Sequence, residues 1–241
     1  MALSIIGWLS GITALGVFVF SIFFGLFAIY KSKKQKSKLL IFLGLVYIFA
    51  AFVYIGDVLD FFNILITGTN IDNSTGIIGL INWIWFPGAV FFAMIFGAWL
   101  ITPGKKWIIF TIYLILAIAF EVFLLMDFEN TVSFTYPPSP GEDLINDNLL
   151  FESVASMIAL VFLVSILIFL GFGFLRKSFQ STGIIRKKFL SLSLGAFIYI
   201  AGAILDGLFT PEVSLVFIIS LILIRSAMAV SAWLFYYGIK A

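Results

Sequence analysis

Residues 4–50 read SIIGWLSGITALGVFVFSIFFGLFAIYKSKKQKSKLLIFLGLVYIFA, and this stretch decides the fold class. Between Ser4 and Tyr30 there is no charge; Lys31, Lys33, Lys34, Lys36 and Lys38 follow, and a second uncharged run begins at Leu39. A bilayer core of roughly 30 Å takes about 20 apolar residues of helix, so each run can cross it and the lysines between them cannot. The start of the chain is expected to be a first spanning helix rather than a cleaved leader. Met1 to Ile22 has no basic n-region, and its apolar run continues unbroken to Tyr30.

The rest of the chain repeats this alternation. Of 241 residues, 63% are apolar or aromatic and 11% charged, with a mean hydropathy of +1.20, well beyond what a soluble core requires. The runs Ser4–Tyr30, Leu39–Ile66, Gly76–Ile101, Trp107–Met126, Leu149–Leu175, Phe189–Phe209 and Val213–Tyr237 predict an all-α integral membrane protein, a bundle of seven transmembrane helices. Thr102-Pro103 and Thr210-Pro211-Glu212 each place a hydroxyl at an expected N-cap with proline in the first turn. The chain has no Cys and no His, which removes disulfides, thiolate or imidazole metal ligation, axial haem histidines and every His-based acid-base device. No metal, no cofactor and no enzymatic activity are therefore expected.

Of the 14 bases, all except Arg225 fall at one end of the predicted bundle: the five lysines above, Lys105, Lys106, Arg176, Lys177, Arg186, Lys187, Lys188 and Lys240. The positive-inside bias makes that end cytoplasmic, with the N-terminus outside and the C-terminus inside. Asp72, Asp127, Glu129, Glu142, Asp143, Asp147 and Glu212 lie in or beside the opposite loops. The basic loops suit anionic lipids of a plasma membrane and imply no nucleic-acid partner. The longest loop, Asp127 to Asn148, holds the alternating stretch TVSFTY at 131–136 and then PPSPG, which predicts a folded outer cap with a short hairpin strand. Asn73-Ser74-Thr75 is a glycosylation sequon in another outer loop.

The first three helices match the last three in order. Val17-Phe18 and Ser21-Ile22 meet Val161-Phe162 and Ser165-Ile166 at an offset of 144; Phe52, Tyr54 and Ile55 meet Phe197, Tyr199 and Ile200 at 145; Val58-Leu59-Asp60 meets Ile204-Leu205-Asp206 at 146. Ala93-Met94 and Ala98-Trp99-Leu100 meet Ala227-Met228 and Ala232-Trp233-Leu234 at 134. A 3+1+3 parallel repeat within one transmembrane domain is expected, residues 1–101 and 149–241 flanking a linker helix and outer loop over 102–148. The one-residue shift before Asp60 rotates the residues after it by about 100°, so Asp60 and Asp206 need not face the same way. In helix number and orientation the chain resembles SWEET-type sugar transporters and microbial rhodopsins, but it lacks the proline-glutamine motifs of the former. The sole lysine near helix seven is Lys240 at its end, which excludes a retinal Schiff base.

Intramembrane charges cost roughly 2.5–3.5 kcal/mol each at mid-bilayer, so they mark candidate sites. These are Asp57 and Asp60 on helix two, Glu121 on helix four, Glu152 at the start of helix five, Asp206 on helix six and Arg225 on helix seven, with the acids expected to converge in the outer half. Tyr54 shares a helical face with Asp57, and Asn82, Trp83 and Trp85 cluster beside Pro87, which is expected to bend helix three. Several of these carboxylates sit near helix C-termini, the unfavourable end of the dipole. Arg225 is expected at mid-membrane as the floor of an outer vestibule, paired with Asp57, Glu121 or both. Trp99 and Trp233 read as interfacial anchors.

The function expected is a small-solute or ion transporter or binder whose acidic outer-half site lies between the two three-helix units. The alternatives are a non-catalytic subunit of a larger membrane complex, with other subunits or a second copy of the chain as partners, and a seven-helix ligand sensor acting through another protein. An intramembrane aspartyl hydrolase ranks below these, because no Gly-x-Gly-Asp occurs and a carboxylate dyad needs its acids in contact.

Overall fold

The computed structural model describes residues 3–208 and 215–240. Among the described residues, six helices are long and apolar enough to cross a membrane, and a bent helix pair makes a seventh span when taken together. The spans, in chain order, are α1 (Ile5–Gln35), the pair α2 (Lys38–Phe52) and α3 (Ile55–Thr67), α4 (Ile77–Trp83) continued by α5 (Phe86–Ile101), and α6 (Lys106–Met126). After a long loop come α7 (Val154–Ile166), a π-helical segment (Leu167–Phe172) and α8 (Gly173–Phe179) as one span, then α9 (Gly183–Leu208) and α10 (Leu215–Ile239). Consecutive spans are neighbours, and α10 packs against α1 to close the ring. An all-α polytopic membrane protein is thereby established in outline. The expected seventh-helix start at Val213 and its Thr210-Pro211-Glu212 cap lie outside the described residues.

The structure corrects several boundaries. Helix two is not continuous from Leu39 to Ile66 but bends by 44° between Phe52 and Ile55. The bend strips Gly56 N of its intrahelical acceptor, and Asn82 Oδ1 replaces it at 2.6 Å. Glycine is required there, since a Cβ would stand 2.7 Å from Asn82 Oδ1 and 2.8 Å from Ile78 O. Helix three breaks at Ile84 and Trp85, as Pro87 dictates: it lacks the N–H that would reach Trp83 O, and it occupies the first turn of α5. The expected fifth-helix start at Leu149 is a strand instead, so Glu152 sits exposed in the turn ahead of α7. Ser153 caps α7 by accepting from Ser156 N at 3.1 Å. Thr102 makes no cap bond, and its hydroxyl is buried without a partner among the described residues.

The long loop between α6 and α7 folds as expected, into a hairpin in which β1 (Val132–Thr135) pairs antiparallel with β2 (Asn146–Leu149), Val132 opposite Leu149. This cap is tied down by buried polar groups. Asp60, fully buried, accepts from Ile71 N at 2.8 Å, Asn70 Nδ2 at 2.9 Å and Ile145 N at 2.9 Å. Ser4 caps α1 and donates to Asp143. Asn73 of the sequon is buried, accepting from Ile78 N at 3.0 Å and donating to Tyr136 at 3.2 Å, so its amide is committed to the fold.

The opposite end carries the basic loops, where Lys106 lies 4.0 Å from the Trp99 ring and Lys240 5.0 Å from the Tyr237 ring. Such lysines bury their stems along aromatic rings while the ammonium reaches water. Inward of them, Phe24, Leu43, Phe96, Phe174, Leu192 and Phe235 make a close-packed apolar plug. The α6 span is peripheral: Phe120 and Leu124 are its buried residues.

Candidate functional site

Above that plug, towards the acidic end, the helices enclose a cavity of about 460 Å³. Tyr54 at the bend of the second span and Trp83 and Phe86 on either side of the break in the third are among the residues that line it. The hairpin supplies its roof through Asn146, Asp147 and Asn148, and the apolar plug residues Leu43, Phe96 and Phe235 form its floor.

Two polar groups line this space. In the first, Asn82, buried on α4, donates through Nδ2 to Asp57 Oδ1 at 3.2 Å and to Asp147 Oδ1 at 2.9 Å. One amide nitrogen thus bridges two carboxylates, which keep further acceptor capacity toward the cavity. Asp147 titrates above the ordinary carboxylate range because burial disfavours its charge, an effect the Asn82 hydrogen bond only partly offsets. Trp83 lines the same wall, its buried indole N–H facing the Asp147 carboxylate.

The second group is an ion pair. Arg225 Nε donates to Asp206 Oδ1 at 3.1 Å, and the two side chains are 11% and 12% exposed. Arg225 Nη1 also donates to Thr13 Oγ1 at 2.7 Å and Ser10 O at 3.1 Å on α1. Tyr54 donates to Asp206 Oδ2 at 2.7 Å, and its ring lies 5.3 Å from the guanidinium carbon. The guanidinium is therefore satisfied by three oxygens and an aromatic face, as a buried cation requires.

The expected Arg225 partners, Asp57 and Glu121, are thus replaced by Asp206, which the sequence ranks as further out. Nor do the acids form one set. Asp57, Asp206, Tyr54, Asn82, Trp83 and Arg225 line the cavity, whereas Asp60 is consumed in holding the cap. Glu121 lies across the bundle in a separate apolar groove of about 400 Å³, beside Phe49, Pro87 and Phe92. Its Oε2 is buried without a hydrogen-bond partner among the described residues. Sequence reasoning missed Asp147, Thr13 and Tyr199 as lining or anchoring groups. Only the match of Tyr199 to Tyr54 hinted at any of them.

The cavity has polar groups suited to binding, yet the amide of Asn82 stands between the two carboxylates, Asp57 and Asp147, that are near enough to cooperate. Among the described residues, no three metal-ligating acids gather. A cation or a hydrogen-bond donor entering the cavity would find two acceptors on one side and a neutralised Asp206–Arg225 pair on the other. No family model matches this chain, and no curated protein matches it.

Proposed function

We propose that this polytopic protein binds, and in doing so translocates or senses, a small solute bearing a cationic or hydrogen-bond-donating group. The observation that carries the proposal is the cavity itself, in which Asp57 and Asp147 present unsaturated carboxylates around Asn82. Buried acids of this kind are expensive unless solvated or paired, and an incoming donor offsets that cost. The basic end is cytoplasmic in this proposal, giving seven spans with the N-terminus outside and the site in the outer half of a plasma membrane. The two three-helix units are a parallel repeat whose Tyr54 and Tyr199 both reach the cavity. The protein is not an enzyme and needs no cofactor.

The test is a thermal-shift panel of amines, polyols and carboxylates on the purified protein in lipid nanodiscs. Amines or polyols should stabilise the wild type and not Asp57→Asn or Asn82→Ala; a flat panel, or stabilisation surviving both substitutions, would refute the reading. Flux into proteoliposomes then separates transport from sensing.

A second reading, a subunit of a larger membrane complex, draws support from the bare face of α6 and the unpartnered Glu121 Oε2 beside it. A partner helix offering a donor at that groove would satisfy it. Native purification followed by mass measurement decides between a lone chain and a complex.

A further inference from the structure

The exposed part of the cavity lining lies on its flank, while its acidic-end residues are half-buried. Its acidic-end face is roofed by Asn146, Asp147 and Asn148, with Trp83 beside them. Along the flank, four of its lining residues are exposed and apolar: Phe151, Leu160 and Val164 before and on α7, and Ile204 on α9, at 82%, 54%, 43% and 39%. The cause is local. α9 packs closely on the π-helical segment and on α8, where Phe197 covers Gly171 and Ser193 Oγ donates to Gly171 O at 2.8 Å. Above the π-helical segment α7 diverges, and the gap between α7 and α9 is bordered by side chains suited to hydrocarbon. A π-helical insertion of this kind is often found beside functional sites.

The interior has a matching polarity. From Asp57 down to Leu43 the cavity follows 14 positions of the bent second span, on the order of 20 Å measured along the helix path. Its carboxylates lie at one end, and Val46, Ala50, Val90, Ala93 and Leu170 wall the rest. A volume of about 460 Å³ spread over that depth leaves a narrow passage.

We infer that the ligand of this cavity is a single-chain amphiphile with a cationic amine head, admitted from the bilayer through the gap between α7 and α9. The amine sits at Asp57, Asp147 and Asn82, and the chain runs down to Leu43, Phe96 and Phe235. Anionic heads are excluded, because Arg225, the cation facing the cavity, is already neutralised by Asp206. This inference rests on the binding reading above and adds the ligand's class and its route.

The experiment uses the full chain in nanodiscs and a long-chain alkylamine carrying a photoreactive diazirine at its tail. Labelled peptides are mapped by mass spectrometry. Label is expected on peptides containing Leu43, Phe96 or Phe235, competed by dodecylamine and not by dodecanoate, and weakened about ten-fold in Asp57→Asn through loss of a charge-assisted contact. The chain has no Cys, so Leu160→Cys with Ile204→Cys can be bridged by a bifunctional thiol reagent. Bridging before the amine is added should abolish floor labelling, and bridging afterwards should trap it. The unbridged double variant controls for folding, and Ala203→Phe narrows the same gap independently. If ethylamine competes as well as dodecylamine and bridging changes nothing, the amphiphile and its lateral route are wrong while the solute-binding reading stands. If labelling avoids the floor and is indifferent to Asp57→Asn, both are wrong.

Discussion

Replacing Arg225 by Met isolates what the buried pair contributes. In the wild type Asp206 accepts from Arg225 Nε at 3.1 Å and from Tyr54 at 2.7 Å, with both members of the pair almost wholly buried. The substitution leaves Asp206 with Tyr54 alone, and stranding one member of such a pair costs about 3–5 kcal/mol. Arg225→Met with Asp206→Leu removes both charges at near-constant volume. A Tyr54 hydroxyl without its acceptor then remains, a penalty of about 1–3 kcal/mol, so the double variant should be more stable than the single one. Adding Tyr54→Phe should bring stability back close to that of the wild type. Denaturant titration in mixed micelles, followed by tryptophan fluorescence, gives each free energy and their coupling. A single variant within about 1 kcal/mol of wild type, or a double variant costing the sum of the singles, would refute a desolvated pair. If the triple variant is stable and still binds ligand as the wild type does, the pair serves the fold alone.

Three further outcomes are expected. Asp60→Ala deprives Ile71 N, Asn70 and Ile145 N of their acceptor and should cost at least about 3 kcal/mol, loosening the cap to protease, whereas ligand selectivity in the surviving fold should be unchanged. Asp147 is raised by burial, so its contribution to stability is fully present below the unfolded value of about 3.9 and is lost as pH rises through its higher folded value. Amine binding should run the opposite way and weaken in acid, and Asp147→Asn should flatten both trends in pH-titrated unfolding and binding. A tag after Ala241 should be reached only from the cytoplasm and one within 136–141 only from outside; the reverse labelling would overturn the topology.

Membrane insertion and the rough position of each span were legible in the sequence because both follow from local composition. A run such as Ser4 to Tyr30 has no other stable environment than lipid, and Pro87 marks a break wherever the helix sits. The cap hairpin was partly legible, since alternation in residues 131–136 is a property of one strand. Its partner was not: residues 146–148 read as loop and Leu149 as the start of a helix until β1 lies beside them. The bend at Tyr54 has no proline to announce it and exists because Asn82, 26 residues further on, takes over the Gly56 N–H.

The candidate site divides along the same line. That Arg225 needed partners followed from the sequence, since a guanidinium cannot shed its charge in lipid. Which carboxylate met it depended on helix rotation and on the ring order that sets α10 beside α9 and α1. Asp206 therefore won over Asp57 and Glu121, while Asp60, a close neighbour of Asp57 in the chain, was turned to the cap. Hydropathy is summed along a chain, so the sequence by itself determined a polytopic helical membrane protein with separated acidic and basic ends. The direction of each side chain depends on contacts between residues far apart in the chain, so tertiary structure alone decided which acids share a cavity and where that cavity opens.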